Sequence, residues 1–182
     1  MSLSRRTALD LGVSALAATL CPMAARAFPA DQTPGPQRGD VFVLHNDPAR
    51  PVTVEMLPRT GAPAKVWPKD PKTNIVRDGA RFNQVLLLRG PEADAADAGA
   101  RIVAFTAICP HAGCVVTDWI PATQRLRCPC HGSEYDPWNN GAVVAGPSPY
   151  PLPSLPIQVK DEVITVTGPF SARLGGHTTR TM

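Results

Sequence analysis

Apolar residues recur along the chain in short alternating or continuous runs, the pattern typical of β-strands. Gln84 to Arg89 is apolar throughout its centre, which predicts a buried strand. The other predicted strands are rich in Val, Ile, Leu or Phe and lie at 40–45, 52–57, 101–108, 157–159 and 163–166. A hairpin over 119–127 and a short strand near 66–67 complete the set. Together these runs predict a small antiparallel all-β domain without a long helix.

The first residues show a different pattern. Ser4 to Leu9 contains two consecutive arginines, an apolar run follows over 11–20, and Ala25 to Ala27 matches a small-residue cleavage site. This order predicts a twin-arginine signal peptide over 1–27. Because a spanning helix needs about 20 apolar residues, we expect cleavage; the alternatives are a retained membrane anchor and a basic start before a surface helix.

The remaining boundaries follow composition. Residues 28–38 are rich in Pro and polar residues and predict a linker, 39–170 form the body, 90–100 are an acidic, Ala-rich excursion, and 171–182 are a tail. The 21 prolines, 14 glycines and 5% aromatic content suit short strands joined by turns. Beyond residue 27 there remain 15 Lys or Arg against 14 Asp or Glu. No basic stripe is left, so nucleic acid is not an expected partner.

Candidate chemistry is concentrated in two short segments, which we call the first loop (109–114, Cys-Pro-His-Ala-Gly-Cys) and the second loop (128–135, Cys-Pro-Cys-His-Gly-Ser-Glu-Tyr). They hold four of the five cysteines and two of the four histidines, and thirteen residues separate them. Thiolate and imidazole are ligands for iron–sulfur clusters and for zinc. The two loops therefore predict a metal centre.

The spacing of these residues resembles that of Rieske [2Fe–2S] proteins. The resemblance implies a Rieske-type antiparallel β-sandwich with an inserted two-loop cluster-binding subdomain at about 105–153. It also implies one [2Fe–2S] cluster per chain, with Cys109 and Cys128 on the inner iron and His111 and His131 on the outer iron. Zinc is the competing assignment, but zinc motifs do not require two further cysteines or the Gly-Ser-x-Tyr sequence.

The same resemblance assigns the neighbouring residues. Cys114 and Cys130 would form a disulfide between the loops, as in the high-potential branch of the family; the competing assignments are a zinc site and a purely structural disulfide pair. The hydroxyls of Ser133 and Tyr135 would bond to cluster sulfurs and raise the reduction potential. Two glycines and one proline complete the expected surroundings. Gly113 and Gly132 allow a positive φ or a close backbone approach. Pro147 lies in a proline loop (146–149) that would cover the cluster; an ordinary surface turn is the alternative.

The resemblance implies an electron-transfer protein or subunit that is not a catalyst on its own. We expect a soluble or peripheral periplasmic partner of an oxidoreductase, exchanging electrons with a large subunit or a cytochrome c-type acceptor. The alternative is a membrane-anchored Rieske subunit of a quinol-oxidising cytochrome bc complex, with quinol bound at His131. Ala112 disfavours the alternative, because cytochrome bc proteins usually carry Leu there. A ring-hydroxylating oxygenase needs a further iron site, and only His177 follows the loops.

Overall fold

The computed structural model describes residues 34–90 and 101–175, and this part of the chain is built almost wholly from short strands. The predicted signal peptide and most of the linker, the acidic excursion and the end of the tail lie outside the described residues. Within the described residues no helix is long and apolar enough to cross a bilayer.

Eleven strands form two antiparallel sheets in the part of the chain that the structure describes. In chain order they are β1 (Val41–Leu44), β2 (Asp47–Pro51), β3 (Ala64–Lys69), β4 (Val85–Arg89), β5 (Ile102–Thr106), β6 (Asp118–Ile120), β7 (Arg125–Arg127), β8 (Glu134–Asp136), β9 (Ala142–Ala145), β10 (Ile157–Lys160) and β11 (Val163–Val166). The larger sheet has the order β10-β11-β1-β3-β4-β5, with β2 paired to β1, and the smaller sheet has the order β6-β7-β8-β9. The predicted all-β class is confirmed.

Strand β4 separates two hydrophobic cores. Val85 and Leu87 point into the first core, which also contains side chains of β1, β3, β5 and β11. Leu86 and Leu88 point the other way, into a second core that includes Leu126 of the smaller sheet. Since side chains alternate along a strand, a run of four apolar residues serves both cores at once. The continuous apolar pattern of this segment therefore reflects burial on both faces.

The predicted strand over 52–57 is wrong. Val54–Met56 is a 3₁₀-helix, and the strand lies just before it, at β2. Val54 and Leu57 are both buried in the first core and are three residues apart, which matches the three-residue period of a 3₁₀-helix and not the two-residue period of a strand. Strand β2 has the sequence Asp-Pro-Ala-Arg-Pro, gives no apolar signal, and pairs with β1 alone.

The smaller sheet and the two loops form the inserted subdomain. β5 leads the chain into the first loop, the hairpin of β6 and β7 follows, and the second loop runs on into β8. The hairpin was predicted, whereas β8 and β9 were not. The described residues also contain the 3₁₀-helices Arg81–Asn83 and Pro137–Asn139.

Candidate metal centre

The backbone folds in the same way in both loops. In the first, Cys109 N–H donates to Cys114 O at 2.8 Å, and Gly113 N–H donates to Cys109 O at 2.9 Å. The second loop repeats both bonds, counted from its own first cysteine, at 2.8 and 3.0 Å. Gly113 and Gly132 hold equivalent places with φ of 72° and 71°, a left-handed conformation that glycine adopts at low cost. Each loop thus presents its side chains around a similar tight turn.

The four candidate ligands are sorted by depth. The cysteine side chains of Cys109 and Cys128 are free thiols and each residue is only 1% exposed. His111 is half-buried and His131 is exposed. The two imidazole rings meet edge to face with their centroids 4.7 Å apart. Two thiols inside and two adjacent imidazoles outside are a donor set that could hold a metal centre at the surface end of the subdomain.

A disulfide joins Cys114 to Cys130 and therefore ties the two loops together. The structure thus contains the pair that the resemblance implied. The Sγ atoms of this pair and of Cys128 all lie within 4.8 Å of one another. Because a cystine sulfur is not a thiolate, the disulfide leaves Cys109 and Cys128 as the thiol donors of the two loops.

Burial raises the pKa of the Cys128 thiol, and its contact with Cys109 raises that pKa further. Backbone N–H groups of Cys130 and His131 act against this, because they donate to the sulfur and favour the thiolate. Two buried thiolates side by side need a compensating positive charge. Ferric iron or another cation supplies that charge, so the residues present fit a thiolate-bound metal centre.

Tyr135 packs directly against the first thiol. Its hydroxyl lies 3.1 Å from Cys109 Sγ, and the residue is fully buried. Burial is the main reason that the pKa of Tyr135 is raised, followed by the contact with Cys109. Tyr135 therefore stays protonated at neutral pH. A metal-bound thiolate carries no proton, so the phenol would be the donor in this pair when a metal is bound.

Ser133 connects the second loop to the proline loop. The serine is fully buried, and its Oγ accepts a hydrogen bond from Ser148 N–H at 3.1 Å. Gly146 approaches the backbone of Gly132 and Ser133 so closely that an added Cβ would stand 2.5 Å from Ser133 Cα. Pro147, the residue singled out from the sequence, is exposed, and the proline loop contacts the second loop through Gly146 and Ser148.

Sequence reasoning missed two residues that support the loops. Ser148 was passed over as part of a proline-rich turn. Arg81, from the 3₁₀-helix before β4, donates through Nη1 to Gly113 O at 2.8 Å. Ser148 lies in the expected proline loop, but its own contact with the second loop has no sequence signal, whereas Arg81 belongs to no recognisable motif and is 32 positions from its acceptor. Only the folded chain brings them to the site.

Comparisons with known proteins agree with this geometry. The model of the Rieske [2Fe–2S] domain matches residues 59–156. A Haloferax mediterranei protein named as a respiratory nitrate reductase Rieske subunit is 32% identical over 96% of this chain and 81% of its own length. A cytochrome b6-f complex iron-sulfur subunit of Chlorobaculum tepidum is 38% identical over 69 residues, and the match spans 38% of this chain and 36% of that protein.

Among solved structures, the plasma membrane Rieske protein of Synechocystis is 27% identical, with a TM-score of 0.44 over 64% of this chain and 96% of that one. The family model covers more than half of the chain, and the Haloferax relative aligns with nearly all of it. This is therefore an electron-transfer protein whose cofactor is a [2Fe–2S] cluster, and the chain belongs to the Rieske [2Fe–2S] domain family.

Proposed function

We propose that the protein is an exported one-electron carrier that works in the periplasm as a soluble or peripheral partner or subunit of an oxidoreductase. A [2Fe–2S] cluster, when bound, accepts and releases a single electron, at about −150 to +300 mV with mixed histidine and cysteine ligation. The sequence order around Arg5 and Arg6 supports export. The disulfide supports it too, because such bonds persist in oxidising compartments.

In this proposal Cys109 and Cys128 hold the inner iron, and His111 and His131 hold the outer iron. The single observation that carries an electron-transfer role is the depth order of these residues. Both thiols are 1% exposed, whereas His131 is exposed and its ring contacts that of His111. The imidazole side is thus where a partner protein can approach, and the thiolate side is kept from water.

The partner is an oxidoreductase subunit or a cytochrome c-type acceptor. The Haloferax relative, named as a nitrate reductase subunit and aligned with nearly the whole chain, supports an oxidoreductase complex. Four protein donors satisfy a cluster of this type. The protein itself is therefore expected to pass electrons on and not to bind a substrate at iron.

The alternative is a membrane-anchored Rieske subunit of a quinol-oxidising cytochrome bc complex, with His131 hydrogen-bonded to quinol. The match to cytochrome b6-f subunits favours it, although that match spans about a third of such a relative. The exposed Ala112 offers little apolar surface for a quinol site beside the histidines. The two readings differ in what becomes of residues 1–27.

Export and cluster binding can be tested together. When the whole chain is expressed, we expect the protein in the soluble periplasmic fraction, with a mass that shows cleavage after Ala27. After reduction it should give the EPR spectrum of a histidine-ligated two-iron centre. Arg5→Lys with Arg6→Lys keeps the charge and should abolish export by the twin-arginine route. An intact leader in the membrane fraction would favour the cytochrome bc alternative, and zinc in place of iron would contradict both.

Replacing Tyr135 by phenylalanine should lower the midpoint potential. The phenol lies 3.1 Å from Cys109 Sγ and would donate to that sulfur once it is a cluster thiolate. A hydrogen bond to a cluster sulfur is stronger when the cluster carries one more negative charge. If the free energy of this hydrogen bond differs by about 1 kcal/mol between the two redox states, the midpoint potential shifts by roughly 40 mV for one electron. Protein-film voltammetry measures the shift.

The matched control is Tyr150→Phe, since Tyr150 is the only other tyrosine and is 49% exposed. Its potential should equal that of the wild type. An equal potential in Tyr135→Phe would show that the phenol does not tune the cluster.

A further inference from the structure

The 3₁₀-helix Arg81–Asn83 lies between the first loop and the segment that enters β1. On the loop side, Arg81 Nη1 donates to Gly113 O at 2.8 Å, and Nη2 lies 3.5 Å from where a Cβ on Gly113 would stand. The guanidinium also sits over the ring of Phe82, 4.9 Å from its centroid. This stacking restricts the arginine side chain and keeps its donors directed at the loop.

On the other side, Asn83 binds the entering segment. The asparagine is 4% exposed, and its Nδ2 donates to Pro34 O and to Arg77 O, each at 3.0 Å. Arg77 in turn makes a bidentate ion pair with Asp40, with distances of 2.6 and 3.0 Å. Residues 34–40 are thus fixed to the same stretch of chain, 77–83, that reaches the first loop.

The two loops are therefore supported by different devices. The second loop is held by the close contact of Gly146 and by the hydrogen bond from Ser148. Both loops have two backbone hydrogen bonds of their own and share the disulfide, so the support particular to the first loop is the bond from Arg81. Gly113 is buried, so its carbonyl oxygen depends on a protein donor for a strong hydrogen bond.

We propose that Arg81 is a positioning residue for the first loop, and that the 3₁₀-helix Arg81–Asn83 links the position of residues 34–40 to that loop. The relevance of this link to the cluster rests on the proposed function, in which Cys109 and His111 of the first loop are cluster ligands. The link itself is a property of the chain. A pull on the N-terminal segment, whether from a linker or from a partner, would reach the first loop through Asn83 and Arg81.

Hydrogen exchange of the cluster-loaded, full-length protein tests this link. Arg81→Ala should speed amide exchange within 109–114 by about fivefold, the effect of losing one hydrogen bond of ordinary net strength. Asn83→Ala should speed it by roughly twofold, although its side chain does not contact the loop. Arg81→Lys keeps a charged donor and should restore part of the protection. The rate of cluster loss to a chelator should rank the variants in the same order as the rate of amide exchange.

Arg127→Ala is the matched control. Arg127 is also exposed and lies beside the other loop glycine, with Nη2 3.9 Å from where a Cβ on Gly132 would stand. The Arg127→Ala variant should leave amide exchange in 109–114 unchanged. Because both variants remove one positive charge near a loop glycine, any purely electrostatic shift of the midpoint potential should be similar in Arg127→Ala and Arg81→Ala. Equal exchange in all variants would overturn the proposal.

The same data separate this proposal from the proposed function. If the wild-type protein held no two-iron centre, the proposed electron-transfer role would be contradicted, and Arg81 would have no relevance to that role. The exchange measurement would still report on the link, since the disulfide closes both loops without a metal. Faster exchange in Asn83→Ala confined to 34–40 would leave Arg81 as a local support and overturn the linkage.

Discussion

Gly146→Ala should displace the second loop and weaken cluster binding. An added Cβ would stand 2.5 Å from Ser133 Cα and 2.7 Å from both Ser133 N and Gly132 O. All three are backbone atoms, so no side chain can swing aside to relieve the clash. Gly146 also has a φ of 82°, which L-residues adopt at a cost. We expect the clash and the positive φ together to lower the free energy of unfolding by about 3 kcal/mol.

The measurements are denaturant unfolding followed by circular dichroism, and iron content with EPR of the reduced protein. Gly39→Ala is the control, because Gly39 has a φ of 91° and nothing lies within 4 Å of its added Cβ. It should show only the conformational cost, about 1 kcal/mol, with unaltered cluster spectra. If the two variants lost equal stability and both kept the cluster, the close contact between the proline loop and the second loop would contribute neither to stability nor to cluster binding.

The strands that the sequence predicted well are those with a clear hydrophobic pattern. β4 and the hairpin of β10 and β11 lie within one residue of the predicted ranges. β4 and β11 direct side chains into the cores, and Ile157 of β10 packs against the first core, so the local pattern carries the information. The opposite holds for β2, which has two prolines, is mostly exposed and pairs with β1 alone. Such an edge strand exists because of its neighbour and leaves no periodic signal.

The candidate ligands were predictable because their chemistry is local. Cys109 and His111 are two residues apart, Cys128 and His131 are three apart, and the residue types themselves name the metal chemistry. What the sequence could not provide is the support around them. The bond from Arg81 to the first loop depends on how β4 and β5 pair, and this long-range packing has no counterpart in a local motif.

Removing the disulfide should make cluster binding labile. We expect Cys114→Ala with Cys130→Ala to lose about 3 kcal/mol in the free energy of unfolding, because the bond closes a loop with a sequence separation of 16. The ligands remain, so iron can still be incorporated. The loops then hold together through weaker contacts, and cluster loss to a chelator should be at least tenfold faster, a factor equivalent to about 1.4 kcal/mol.

The single variants should behave worse than the double variant. The Sγ atoms of Cys114, Cys128 and Cys130 lie within 4.8 Å of one another. Removing one partner of the disulfide therefore leaves a free thiol close to Cys128, where it can pair with that cysteine or compete for iron. The fifth cysteine, Cys21, lies in the predicted signal peptide, and a Cys21→Ser background leaves only the loop cysteines. Peptide mapping of the disulfides, together with iron analysis, distinguishes a new disulfide to Cys128 from competition for iron. Equal iron retention by the wild type and the double variant would show that backbone hydrogen bonds and the proline loop alone hold the two loops in register.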